Sequence, residues 1–161
     1  MPLQDERVRE AVPDDARAIH GFAGELAETL GETAPDYSAF HKRFLELLDE
    51  PRARVLIAED EGRPLGAASL WIKPDLAHGD VVIEVPMLVV SRDARRRGIG
   101  KLLVDEIRGM AADEGATLVE LVATSDNTSA RDFYRSLGFV ETDHVSLEFV
   151  GDMQDPPEPG E

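Results

Sequence analysis

The chain has 161 residues, no Cys, and 33 Asp and Glu against 17 Lys and Arg, for a net charge of −16 at pH 7. That length suits one domain of ordinary size, and 42% hydrophobic with 31% charged residues is the composition of a water-soluble globular protein. The lack of Cys excludes disulfides, thiolate nucleophiles, thiolate-ligated zinc and iron–sulfur clusters. No apolar run approaches the roughly 18 residues that cross a bilayer, and Met1-Pro2-Leu3-Gln4-Asp5-Glu6-Arg7 does not read as a signal peptide, so a cytoplasmic location is expected. A surface this acidic repels nucleic acid and anionic membranes within a Debye length of ~8–10 Å, and neither partner is expected.

Along the chain, Arg7 to Val12 alternates charged residues with Val8 and Val12, a short first strand. Pro13-Asp14-Asp15 starts a helix on which Ala16, Ile19, Phe22, Ala23 and Leu26 share a face. A second helix begins near Asp36 or Ser38, carries Phe40, Phe44, Leu47 and Leu48, and stops at Pro51. Val55–Ala58 and Leu65–Ile72 form a hairpin around a charged turn. After a loop from Pro74 to Asp80, Val81–Val90 is the strongest strand, and its Pro86 marks an edge, a bulge or a gap, because proline removes a ladder donor. Gly98 to Asp113 is an apolar-faced helix ended by Gly115, and Thr117–Ala123 is a strand. Asp126 or Asn127 caps a helix reaching Leu137, with Ala130, Phe133, Tyr134 and Leu137 on one face. Phe139–Glu141 and Val145–Val150 are expected as closing strands of a domain spanning 1–150. The residues 151–161 then form an acidic, disordered tail.

The charge is unevenly spread. Between Ser91 and Lys101 stand Arg92, Arg95, Arg96, Arg97 and Lys101 against Asp93 alone, a local +4; taken from the −16 total, it leaves −20 on the other residues. The cluster sits in a strand–loop–helix unit containing Arg95-Arg96-Arg97-Gly98-Ile99-Gly100. Unpaired amides at a helix N-terminus bind anions, glycine lets a ligand approach the backbone, and arginine adds charge-assisted hydrogen bonds to phosphate. Two familiar phosphate motifs fail: Gly100-Lys101 is followed by Leu102 where a P-loop needs Ser or Thr, and the third position of a dinucleotide fingerprint is Leu103. An arginine triplet is otherwise read as a solvated loop.

The pair of motifs decides between these. Arg95-x-x-Gly98-x-Gly100 after its strand, with Asn127-x-x-Ala130-x-x-Phe133-Tyr134-x-x-x-Gly138-Phe139 some thirty residues later, resembles the GNAT family of acetyl-CoA-dependent N-acetyltransferases. The likeness is good over Val55–Val150 and loose over the N-terminal helices. It implies a single-domain GNAT fold: a mixed, mostly antiparallel sheet of six to seven strands flanked by about four helices, with the fourth and fifth strands splayed so that the cofactor arm can insert. Acetyl-CoA is the implied cosubstrate. Its pyrophosphate is assigned to Arg95, Arg96, Arg97, Gly98, Ile99, Gly100 and Lys101, and its pantetheine to Leu88, Val89 and Val90. Asn127 is read as a cofactor contact, a helix cap, or both.

Acetylation of an amine needs a neutral nucleophile, a donor for the oxyanion and a proton for the departing thiolate. The resemblance assigns the acid to Tyr134, otherwise a core aromatic, and the oxyanion donor to a backbone amide near Leu88. Glu84, eleven residues before Arg95, is the candidate base, with partial burial expected to raise its pKa; the other readings are a wet-face Glu or a water relay. His78 and His144 are alternatives for the base, His20 and His41 have no assigned role, and four scattered His suggest no metal site. Glu25, Glu28, Glu32 and Asp36 lie where the family shapes its acceptor pocket, suiting a cationic amine. Because only 3 of the 17 basic residues are Lys, the same acidity also reads as adaptation to a salt-rich cytoplasm. The expected function is transfer of acetyl from acetyl-CoA to a primary amine by direct attack in a ternary complex. The alternative is a non-catalytic acyl-CoA sensor. A homodimer is compatible with the family and specified by no residue.

Overall fold

The computed structural model describes residues 6–155, 158 and 160; the N-terminal residues read against a signal peptide lie largely outside them, as does part of the acidic tail. Nine strands and α-helices follow one another among these residues: β1 (Glu6–Glu10), α1 (Ala16–Thr29), α2 (Tyr37–Asp49), β2 (Ala53–Asp60), β3 (Arg63–Asp75), β4 (Asp80–Val90), α3 (Ile99–Asp113), β5 (Leu118–Glu120) and α4 (Thr128–Ser136). Local chemistry sets several boundaries. The Asp36 carboxylate accepts from the Ala39 amide at 3.1 Å and caps α2, and Asn127 does the same for α4 through Ala130 at 3.1 Å. Gly115, at φ +67°, ends α3.

The sheet runs β1-β2-β3-β4-β5. Its first three pairings are antiparallel, and β4 pairs parallel with β5 through the crossover helix α3. Apolar side chains alternate to its two faces. On one, Leu56, Leu70, Ile83 and Leu88 meet Ile99, Leu103 and Ile107 of α3; on the other, Ile57, Ala67 and Val89 meet Ile19 and Phe22 of α1 and Phe44 of α2. At one end, Arg9 binds two buried carboxylates, with both guanidinium Nη atoms on Asp15 at 2.8 and 2.9 Å and Nε on Glu59 at 3.1 Å. These bonds hold the Asp15 and Glu59 carboxyls below their ordinary pKa values, against the opposing effect of burial.

Pro86 sits in a bulge. Ser69 faces Met87 and Trp71 faces Glu84, so Val85 and Pro86 share the single partner Leu70. A ladder bond that proline could not donate is already missing there. β5 pairs only at Leu118, Val119 and Glu120, opposite Val82, Ile83 and Glu84. Beyond Glu84 the outer edge of β4 runs without a strand neighbour among the described residues, which is the expected splay.

The sheet has five strands among the described residues, not six to seven, and β5 is shorter than Thr117–Ala123. Phe139–Glu141 and Val145–Val150 form no ladder. Side-chain propensity prepares a segment for a sheet, but a strand exists only where a second backbone supplies its hydrogen bonds, and no described segment of this chain does so here.

Candidate active site

The β4–α3 loop supplies one end of the site. After β4, residues Arg92–Ala94 make a single 3-10 turn, and the chain then takes left-handed conformations at Arg96 (φ +67°) and Gly98 (φ +79°) before α3 begins. A side chain at such a φ costs about 1–2 kcal/mol, which Gly98 avoids and Arg96 carries. The first bond into the helix runs from the Leu102 amide to the Gly98 carbonyl at 3.1 Å. The amides of Ile99, Gly100 and Lys101 therefore have no acceptor within the helix and carry its positive end.

The five cations of this segment are not equivalent. Arg97 turns away and bonds Glu6 at 2.8 Å and Asp60 at 2.7 Å. Arg92 reaches α1, where its guanidinium meets Glu28 at 2.7 Å and its amide donates to Glu25 at 3.0 Å. Lys101 meets Asp105 at 2.8 Å. Arg95 and Arg96 have no ion pair among the described residues, and both line a cavity of ≈ 500 Å³. The local charge that remains for a ligand is thus carried by two arginines and the helix end.

That cavity joins the loop to the rest of the predicted constellation. Of the expected residues, Leu88–Val90, Arg95, Arg96, Gly98–Lys101 and Tyr134 line it; Arg97, Asn127 and Glu84 do not. Asn127 acts as the helix cap. Tyr134 stands on α4 beside Phe133 and Phe139, with ring centroids 5.5 and 6.1 Å away, and burial pushes its phenol pKa up. It remains protonated throughout the neutral range, as a proton donor must. Glu84 is partly buried, as expected, but by an ion-pair partner as well as by its strand neighbours. Its Oε2 accepts from the Lys73 ammonium at 2.6 Å.

Glu25 of α1, expected near the acceptor pocket, lines the cavity, and so do Thr29 of α1 and Phe133 of α4, to which the sequence assigns no site role. The two α1 residues stand four apart, on one helical face with Leu26, which was the available signal. Glu25 and Glu28 are engaged by Arg92, and Asp36 by the α2 amides, so most of the acidic group expected to greet a cationic amine already has partners. The histidines stay outside the cavity. His20 Nε2 lies 2.7 Å from the Pro35 carbonyl oxygen, His41 stacks on Tyr37, and His144 is exposed. His78 bonds Asp75 at 2.6 Å, and with Asp80 these residues bring donor atoms within 4.8 Å at the β3–β4 turn, a grouping that the spacing of His alone does not reveal. Among the described residues, no helix is long and apolar enough to cross a membrane.

Comparison with known proteins meets this geometry. The profile of the Acetyltransferase (GNAT) family matches residues 19–139, which include the β4–α3 loop, the splayed strands and α4. The chain belongs to the GNAT acetyltransferase family. It is 28% identical over 142 residues to the aminoalkylphosphonate N-acetyltransferase of Salmonella typhimurium, covering 88% of each chain. It is 34% identical over 149 residues to the mycothiol acetyltransferase of Cellulomonas flavigena, covering 88% of this chain but only 39% of that longer protein. Among solved structures, a possible acetyltransferase from Clostridium difficile 630 superposes with TM-score 0.81 at 24% identity, over 91% of this chain and 98% of the other. The aminoglycoside N-acetyltransferase AAC(6')-Iy in complex with CoA gives 0.79 at 20% identity, over 91% and 95%; at these identities the likeness is one of fold.

Within this GNAT chain Gly100 has a packing role beside any contact with a ligand. A Cβ there would lie 2.7 Å from Phe133 Cζ and 3.0 Å from Cε1, so the missing side chain lets α4 close onto the first turn of α3. A Cβ at Gly98 would meet open space. One glycine answers to its φ, the other to its neighbour.

Proposed function

We propose that this GNAT protein transfers the acetyl group of acetyl-CoA to a primary amine of a small molecule, by direct attack of the amine within a ternary complex. The supporting observation is the single cavity that runs from the two unpaired arginines, past Leu88–Val90 on the open edge of β4, to Tyr134. Arg95, Arg96 and the amides at the start of α3 would hold the pyrophosphate. The unpaired edge of β4 would hold the pantetheine arm as a strand-like neighbour. Bound there, acetyl-CoA supplies an activated thioester, and the chain lacks any Cys to form an acyl-enzyme, which favours direct attack.

The protein's own groups then manage charge and protons. Tyr134 donates its proton toward the departing sulfur. Glu84 lies at the point where β5 stops pairing, opposite Glu120, and is the carboxylate assigned to the amine proton. Its bond to Lys73 shows that a primary ammonium fits against it, and an incoming amine competes with that ion pair. The named relatives are acetyltransferases, which favours transfer over the sensor reading.

The test is release of free CoA thiol from acetyl-CoA with a panel of polyamines, aminoglycosides, aminoalkylphosphonates, amino acids and peptides. Turnover is expected with at least one small amine, falling about 10²–10⁴-fold in Tyr134→Phe. In Glu84→Gln turnover is expected to fall while CoA affinity stays unchanged, because the substitution removes the carboxylate assigned to the amine proton. Tight CoA binding, no turnover with any amine and no effect of Tyr134→Phe would establish the sensor instead.

A further inference from the structure

The turn between β3 and β4 gathers ligating atoms on residues that take no part in lining the cavity. Asp75 and Asp80 are direct partners across the hairpin, its closing pair. Residues so placed hold their Cβ atoms ~4.5–5.5 Å apart, and like charges there destabilise the pairing. The buried Asp15 and Glu59 share Arg9, but neither Asp75 nor Asp80 has a Lys or Arg in ion-pair contact among the described residues. Lys73, two residues before Asp75, is bonded to Glu84 instead. What the turn brings to the two carboxylates is His78, whose Nδ1 lies 2.6 Å from Asp75 Oδ2. One ligating atom from each of the three residues lies within 4.8 Å of the others.

A second observation is independent of that grouping. Asp80 Oδ1 is buried with no hydrogen-bond partner, the one side-chain atom in that condition among the described residues. Asp80 Oδ2 is occupied, accepting from Thr117 Oγ1 at 2.6 Å. A buried carboxylate oxygen to which nothing donates is costly, and a cation beside it removes the cost. The surrounding frame is fixed: Asp75 Oδ1 accepts from the Ala77 amide at 3.0 Å, and the Gly79 amide, at φ +71°, donates to the Asp75 carbonyl at 2.8 Å.

We propose that Asp75, His78 and Asp80 bind a divalent cation of the zinc class. One imidazole nitrogen with two carboxylate oxygens suits zinc, whereas calcium and magnesium favour six or more oxygens. The ion takes the place of the proton between His78 and Asp75. Bonds of ~2.0–2.1 Å hold tetrahedral ligand atoms ~3.3 Å apart, so the 2.6 Å contact opens slightly while Asp80 draws in. The exposure of His78 leaves a fourth position to water. Thr117 is the outer partner that orients Asp80, and its amide donates to the Val81 carbonyl at 2.9 Å. The ion thereby ties the turn to the residue before β5, and its binding stabilises the folded chain.

The test uses the full chain stripped with EDTA and zinc ion alone as ligand, and does not depend on acetyl transfer. Titration calorimetry should find one saturable site, weakened about tenfold or more in His78→Ala, Asp80→Asn and Thr117→Val and unchanged in His144→Ala, which removes another exposed imidazole. Zinc should raise Tm in the wild type and not in His78→Ala. A second measurement needs no variant: in NMR spectra, substoichiometric cobalt(II) should broaden the His78 ring and the Ala77 and Gly79 amides before the other three histidines. No saturable binding, equal affinity in the folded His78→Ala and Asp80→Asn proteins, calcium or magnesium binding as tightly as zinc, or broadening centred on another histidine would each overturn the site.

Discussion

The division of the basic segment into free and engaged arginines predicts a sharp contrast among substitutions. Arg95 and Arg96 are exposed and have no ion pair among the described residues, whereas Arg97 is half-buried and bonded to Glu6 and Asp60. A charge-assisted hydrogen bond contributes about 1.5–3 kcal/mol when shielded, and solvent exposure reduces this to about 1 kcal/mol for each free arginine. Arg95→Ala with Arg96→Ala should therefore weaken CoA by about 2 kcal/mol, roughly thirtyfold in Kd, with little change in Tm. Arg97→Ala should do the reverse, lowering Tm while leaving Kd within about twofold, since its charge is already spent on β1 and β2. Isothermal titration with CoA at low and high KCl measures both, and the salt dependence should be shallower in the double variant than in the wild type. An Arg97→Ala protein of unchanged stability that binds CoA as poorly as the double variant would refute the division.

Two other expectations concern folding. Gly100→Ala should lower stability by about 1–3 kcal/mol through overpacking against Phe133, and Gly98→Ala by about 1 kcal/mol through its φ alone; chemical denaturation that finds the two equal would contradict the geometry. Arg9→Met leaves Asp15 and Glu59 buried with Arg7 as the remaining cation on Glu59, a loss of about 3 kcal/mol at pH 7. Because Arg9 depresses both folded-state carboxyl pKa values, its contribution is fully present above their unfolded values near ~4 and is lost as pH falls through the folded ones. The stability gap between wild type and variant should close below about pH 4. A gap independent of pH would dismiss Arg9 as the group that ionises this pair.

Much of this arrangement was readable before any coordinates. The Pro86 bulge, the strand–loop–helix unit with its left-handed Gly98 and Tyr134 on a capped helix all depend on short-range signals: a missing amide, a glycine spacing, a helical period. What escaped depends on partners far along the chain. Arg97 finds Glu6 from 91 residues away and Arg92 finds Glu25 from 67. An arginine triplet does not reveal which member faces a ligand, because that is decided by where distant carboxylates happen to fold. The partial burial of Glu84 follows from its apolar strand, whereas its bond to Lys73 depends on the register of β3 against β4. The closing strands were legible as β-prone segments and absent as strands, since pairing is a property of two segments.

The contact of Phe133 with the bare backbone of Gly100 makes α3 and α4 into the jaws of a caliper. One jaw begins at the amides that would grip the phosphate end, and the other carries Tyr134, one residue along from the ring that sets the gap. With no Cβ as a spacer, the separation of the start of α3 from Tyr134 is fixed by a single aromatic ring lying against a peptide plane. Under the proposed function, a cofactor whose phosphate seats at the first jaw would have its thioester gauged against the phenol. Shorter or longer anions would seat at one jaw and miss the other.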